Sequence, residues 1–235
     1  MKELPILFSG EMVRAILEGR KTQTRRVVKP QPVYDHGAWC VPGFTCNTEH
    51  GFKESVLLSS FRCPYGKPGD RLWVRETFAV DYEVGEGTRG QIPPVVFYRA
   101  TDKETNWTSG KTPWKPSIHM PRKYSRITLE IVSVRVERLQ DITEDDAKSE
   151  GCNEIVSKWW QWFGYVDGHR SVMEGGDPSK PPAPHWINPE IQEYRRSRKD
   201  QFQILWNSIN AKRGFDWDLD PWVWVIEFRK LDEKT

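Results

Sequence analysis

Short apolar runs broken by turn-forming residues dominate this chain and predict a sheet with few helices. Residues 4–9, LPILFS, read as a first strand. Met12, Ile16 and Leu17 then recur at helical spacing after Gly10, and Gly19 stands where a glycine ends a helix. Val27 and Val28 mark a second strand. From Pro68 a Pro-Gly-Asp turn feeds a strand in which Leu72 and Val74 alternate with Arg71, Trp73 and Arg75, and VVFYRA, residues 95–100, makes another. The longest strand signal covers 126–138. Leu129 and Ile131 share one parity while Val134 and Val136 take the other, which predicts a bulge or strong bend near Ser133. Thr143 is placed to cap a short acidic helix, with Asp146 where a capping box has Glu or Gln and Gly151 after its end. Ile191, Tyr194, Phe202, Leu205, Trp206 and Ile209 predict the longest helix over 189–210, packed outside the sheet. A closing strand over 222–229 carries Val223 and Val225 on one face and Trp222, Trp224, Ile226 and Phe228 on the other.

Between these elements lie stretches rich in proline, glycine or tryptophan, at about 30–68, 81–118 and 153–188, which read as long loop insertions. Six or seven strands with a few flanking helices predict one α+β domain over residues 1–235, a small β-barrel or open sheet. Lys and Arg number 35 against 33 Asp and Glu, a balance that argues against sequence-independent coating of a polyanion and leaves room for a local basic pocket. Arg20, Lys21, Arg25, Arg26 and Lys29 form one such cluster. The 12 tryptophans are read mainly as packing, with a minority near a ligand, where their rings suit base stacking. No membrane-length apolar run occurs, and the N-terminus does not read as a secretory signal. The cysteines are therefore expected as reduced thiols in the cytoplasm. Cys40, Cys46, His50 and Cys63 supply metal-ligand types without the spacing of a zinc knuckle, so neither a metal nor another cofactor is expected.

Three segments carry a resemblance. Gly19-Arg20-Lys21-Thr22-Gln23-Thr24-Arg25-Arg26 resembles the signature of the ASCH domain, a glycine, one residue, a lysine, four residues and an arginine after a short helix. Pro68 to Glu76, PGDRLWVRE, resembles the family's turn into a barrel strand, and Ile142 to Ala147 with Glu150-Gly151 resembles its short acidic helix. The wording around them is similar to ASCH proteins of phage and prophage. The resemblance implies a PUA-like small β-barrel with flanking helices, decorated by the insertions. Within this superfamily the bacterial N4-acetylcytidine amidohydrolases use a lysine, a threonine three residues on and a glutamate of the acidic helix. These positions correspond to Lys21, Thr24 and Glu150.

The residues themselves suit that chemistry. A threonine hydroxyl needs a neighbouring base, and a desolvated lysine among Arg20, Arg25 and Arg26 can serve. A glutamate opposite can protonate a leaving amine. Arg26 offers forked donors to an anionic or carbonyl oxygen. Glu76 on a strand, Trp73 beside it and His119 in the PSIHMP turn are further substrate-binding candidates, with an ion pair or a turn role as their plain alternatives. Two functional classes follow. One is an amidohydrolase acting on an N4-acylated cytosine nucleoside or related modified nucleobase. The other is a non-catalytic module that binds RNA, single-stranded nucleic acid or a modified base. A ribonuclease is a third.

Overall fold

Leu72 and Val74 face inward from a strand whose other side chains are half exposed, and this strand anchors the main sheet. In the computed structural model, residues 1–35, 38–40, 62–81, 94–102, 106–107, 110–166, 169–174 and 186–231 are described. In chain order the strands are β1 Glu3–Leu7, β2 Gln23–Val27, β3 Val33–Asp35, β4 Ala38–Cys40, β5 Arg71–Arg75, β6 Phe78–Asp81 and β7 Val95–Tyr98. They continue with β8 Asn106–Trp107, β9 Gly110–Lys111, β10 Thr128–Arg138, β11 Ile155–Val166, β12 His169–Glu174, β13 Trp186–Arg196 and β14 Trp222–Leu231. The α-helices are α1 Gly10–Leu17, α2 Glu144–Ser149 and α3 Arg198–Asn210. No described helix is long and apolar enough to cross a membrane.

The main sheet is five-stranded, in the order β1-β5-β10-β14-β2, antiparallel except for β1 against β5. Among the described residues the sheet does not close into a barrel. β1 and β2 remain edges among the described residues, because the chain leaves β1 for the N-cap Ser9 of α1, and the Leu7 carbonyl accepts 2.6 Å from Arg26 Nη2 instead of from a paired backbone. The bulge on β10 lies at Val132, between the pairs Ile131–Phe228 and Ser133–Glu227. It swaps the inward parity from Leu129 and Ile131 to Val134 and Val136, all packed in one core.

β14 is central, and both its faces are buried. Trp222, Trp224, Ile226 and Phe228 join the core with Ile6, Leu72 and Leu129, while Val223 and Val225 join a second core with Ala147, Phe202 and Trp206. Burying such side chains is worth roughly 1.5–3 kcal/mol each, and here it fastens α2 and α3 over one face of the sheet.

Two further expectations change. The helix expected over 189–210 begins only at Arg198, because Ser197 caps it and forms a capping box with Asp200. Residues before it belong to β13, an edge strand of a separate sheet ordered β12-β11-β13. Pro189 suits that edge, where one extra residue is accommodated between the pairs Glu190–Gln161 and Ile187–Phe163. Nor are the insertions all loop. The last carries β11 and β12, rich in aromatic and β-branched residues, and the earlier ones carry the hairpin β3-β4 and the strands β8 and β9, besides β7, which the run VVFYRA predicts.

Candidate functional site

Lys21 and Glu150 each follow a helix that ends in the same way. Gly19 and Gly151 have φ of 74° and 91°, the left-handed conformation that glycine adopts cheaply. After α1, Gly19 N–H donates to Ile16 O and Arg20 N–H to Ala15 O. After α2, Gly151 N–H donates to Lys148 O and Cys152 N–H to Ala147 O. Both are the paired reverse bonds of a Schellman ending. These two endings lie side by side, so Lys21 and Glu150 form an isolated β-bridge.

Across that bridge Lys21 Nζ donates to Glu150 Oε2 at 2.7 Å and to Glu150 O at 2.9 Å. The Lys21 side chain is wholly enclosed and the Glu150 side chain nearly so, at 0% and 3% exposure. Burial lowers the Lys21 pKa from its ordinary 10.5, while contact with Glu150 pulls the other way without cancelling it. Lys21 therefore becomes a neutral amine more readily than a free lysine does.

Arg25 shares the carboxylate. Enclosed on β2, it approaches Glu150 Oε1 at 3.4 Å and places Nη2 3.2 Å from both Glu137 Oε2 and Asp146 Oδ2. Arg135 extends this network to Glu137, Glu227 and Asp146, and Gln23 Nε2 donates to Asp146 Oδ1 at 3.1 Å. The network ties β2, β10, β14 and α2 together behind Glu150.

In front of Glu150 lies a cavity of about 270 Å³, just below the roughly 300–1,000 Å³ usual for small-ligand sites. Thr24 and Glu150 line it, with Arg26 and Lys29 from the β2 segment and Tyr65 from the approach to β5. The opposite wall comes from α3 and the turn after it, through Phe202, Trp206, Arg213 and Phe215. Thr24 is buried, and its hydroxyl makes no hydrogen bond to a described residue. Lys21 lies behind Glu150 and does not line the cavity.

Of the sequence candidates, Lys21, Thr24, Glu150 and Arg26 are thus gathered in one region. Arg26 lies over the rings of Phe8 and Tyr65, at 5.2 and 6.0 Å, and its Nε has no partner. Glu76, Trp73 and His119 do not line this cavity. Glu76 is buried in a two-pronged pair with Arg126, at 2.9 and 3.0 Å, and Trp73 lies under Arg75. His119 is an exposed residue of a single 3₁₀ turn. Arg25, expected beside Lys21 as a like charge, instead engages Glu150, and neither that role nor the aromatic wall of α3 is read from the sequence. The recurrence of Phe202, Leu205, Trp206 and Ile209 at i, i+3, i+4 and i+7 is the available signal, and it reads equally as plain packing.

Among the described residues no His, Cys, Asp and Glu cluster could hold a metal. Cys63 and Cys152 are free thiols, and the side chains of Cys40, Cys46 and His50 lie outside the described residues. Comparison with protein-family models, curated proteins and solved structures finds no match for this chain.

Proposed function

We propose that this cavity hydrolyses the acylated exocyclic amine of a cytosine nucleoside or a related modified nucleobase, as an ASCH-type domain of the PUA-like superfold. The observation that carries the reading is the buried Lys21–Glu150 contact directly behind a cavity that Thr24 and Glu150 both line. Thr24 Oγ1 attacks the acyl carbonyl as the neutral Lys21 amine, brought within hydrogen-bond reach of the hydroxyl when substrate is seated, accepts its proton. The proton passes from Nζ to Oε2 along their hydrogen bond, and Glu150, which faces the cavity, delivers it to the nitrogen as the C–N bond breaks. Water then hydrolyses the threonine ester, releasing the carboxylic acid and restoring the hydroxyl. A mixed α+β fold on one five-stranded sheet, with α2 and α3 over one face and α1 against the other core, is compatible with that superfold.

A second reading has its own support. Tyr65, Phe202, Trp206 and Phe215 surround the cavity, and aromatic rings beside cations suit a module that only binds RNA or a modified base. Incubation with N4-acetylcytidine and related acylated nucleosides separates the two. Release of cytidine and acetate is the expected result. Binding without release on every acylated nucleoside rejects hydrolysis in favour of the reader.

A further inference from the structure

The cavity is chemically graded from its inner to its outer end. Thr24, Arg25 and Glu150 are buried, whereas Lys29 and Arg213 are exposed at the solvent side. Glu150 is the only carboxylate among the described lining residues, and it is already engaged by Lys21 and Arg25. The outer end therefore holds cations without a matching acid among the described residues. Neither Lys29 nor Arg213 forms an ion pair with a described residue, and the Arg26 Nε is buried without a partner. Arg213 is close enough to Arg26 for the two charges to oppose each other.

Local packing holds these groups toward the cavity. Lys29 Nζ lies 5.2 Å from the centre of the Phe215 ring, and the Phe215 carbonyl accepts from Trp206 Nε1 at 2.7 Å. Phe215 N–H in turn donates to Asn210 O at 3.2 Å, fixing the turn that carries Arg213 to the end of α3. Converging like charges cost free energy unless an anion joins them, and two guanidinium groups with an ammonium match the oxygens of a phosphate. Tyr65 and Phe215 flank the same end with ring faces that suit a nucleobase or sugar.

We propose that the ligand of this cavity is phosphorylated, with Arg26, Lys29 and Arg213 binding the phosphate of a nucleotide whose base lies inward toward Thr24 and Glu150. The inward placement of the base rests on the proposed hydrolytic reading; the anion site does not. The phosphate can belong to a free nucleotide or to a nucleic-acid backbone.

Titration calorimetry on the full chain tests this with cytidine, cytidine 5′-monophosphate, inorganic phosphate and a short single-stranded oligocytidylate. The monophosphate should bind about tenfold or more tightly than cytidine, as expected for even one charge-assisted contact. That advantage should shrink with added salt, and inorganic phosphate should compete with the monophosphate. Arg213→Ala and Lys29→Ala change exposed side chains, so both variants should fold, and each should bring the monophosphate toward the affinity of cytidine. Equal binding of cytidine and its monophosphate, an unchanged preference in Arg213→Ala, or no binding of either compound overturns the proposal. A further gain with the oligonucleotide assigns the phosphate to a nucleic-acid backbone, and no gain assigns it to a free nucleotide. A wild type that prefers the monophosphate but leaves N4-acetylcytidine intact rejects hydrolysis and keeps the anion site.

Discussion

Lys21 and Glu150, 129 residues apart, are joined twice, by a 2.7 Å contact between side chains and a 2.9 Å bond from the same ammonium to the Glu150 carbonyl. Because both side chains are enclosed, the pair has consequences for stability as well as chemistry. Removing one partner of a buried pair typically costs about 3–5 kcal/mol, since the other is left uncompensated. Lys21→Met, which keeps most of the volume, should therefore lower the urea midpoint substantially. Lys21→Met/Glu150→Gln should recover part of that loss, although Arg25 then loses one acceptor. Equal midpoints for wild type and Lys21→Met would show that the pair contributes nothing to stability. Lys21 is among the most deeply buried side chains of the described residues, although it belongs to no apolar pattern in the sequence.

Gly151 is the geometric hinge of that pair. Its φ of 91° disfavours any L side chain, and a Cβ there would lie 3.1 Å from Ala15 Cβ and 3.3 Å from Lys21 Cβ. Gly151→Ala should destabilise the protein by about 1–3 kcal/mol through backbone strain, and the added methyl should press on Lys21. Gly19→Ala meets no neighbour and carries the backbone cost alone. The melting temperature of Gly151→Ala should accordingly fall below that of Gly19→Ala.

The resistance of α2 to acid depends on Asp146. Burial opposes its ionisation, but hydrogen bonds from Thr143 and Gln23, with the charge of Arg25, hold its pKa below the ordinary 3.8. A carboxyl depressed in the folded state contributes stability that is present above the unfolded pKa and lost as pH falls through the folded value. Urea midpoints measured from about pH 5 downward should thus fall less steeply in Asp146→Asn than in wild type. Parallel acid limbs would remove Asp146 from the explanation.

Cys152 should be a poor nucleophile. Burial, aided by the nearby Glu150 charge and opposed by Lys21, raises its thiol pKa from 9.0 to about 11. Its thiolate fraction near pH 8 is then about a hundredfold smaller than that of an ordinary cysteine. Iodoacetamide should label it slowly in the folded protein and quickly in urea, as read by peptide mass spectrometry.

Much of the sheet was legible because its signals are local. The alternation of Leu72 and Val74, the parity switch at Val132 and the capping pair Thr143–Asp146 each reveal geometry within a few residues. The start of α3 was not legible in the apolar spacing, which runs on through Ile191 and Tyr194. Ser197 with Asp200 decides the boundary, and that cap sits inside a polar stretch that periodicity passes over. Barrel closure depends on long-range pairing of β1 with β2, which no local pattern specifies. Lys21, Thr24 and Glu150 come from the resemblance to the ASCH signature and its amidohydrolase members. Their gathering in one region, and the wall built by Phe202, Trp206 and Phe215, required α3 to fold back over β14.

The last prediction concerns the pH dependence of catalysis. In the proposed mechanism Lys21 must be neutral to accept the Thr24 proton, and the neutral fraction of an amine rises with pH. Burial lowers the Lys21 pKa from 10.5, so the rising limb of kcat/KM should have its midpoint below that value. The apparent pKa belongs to the coupled Lys21–Glu150 pair, because their protons share one 2.7 Å contact. Glu150→Gln removes the carboxylate that favours the ammonium, which should shift the limb to lower pH while kcat falls through loss of the acid. Thr24→Ser should retain the limb and part of the rate, and Thr24→Ala should abolish hydrolysis with the fold intact. The test is kcat/KM for N4-acetylcytidine as a function of pH in wild type, Thr24→Ser and Glu150→Gln. A limb that stays fixed in Glu150→Gln would mean that the titrating group is not the lysine of this pair, and the base would have to be sought elsewhere on the cavity wall.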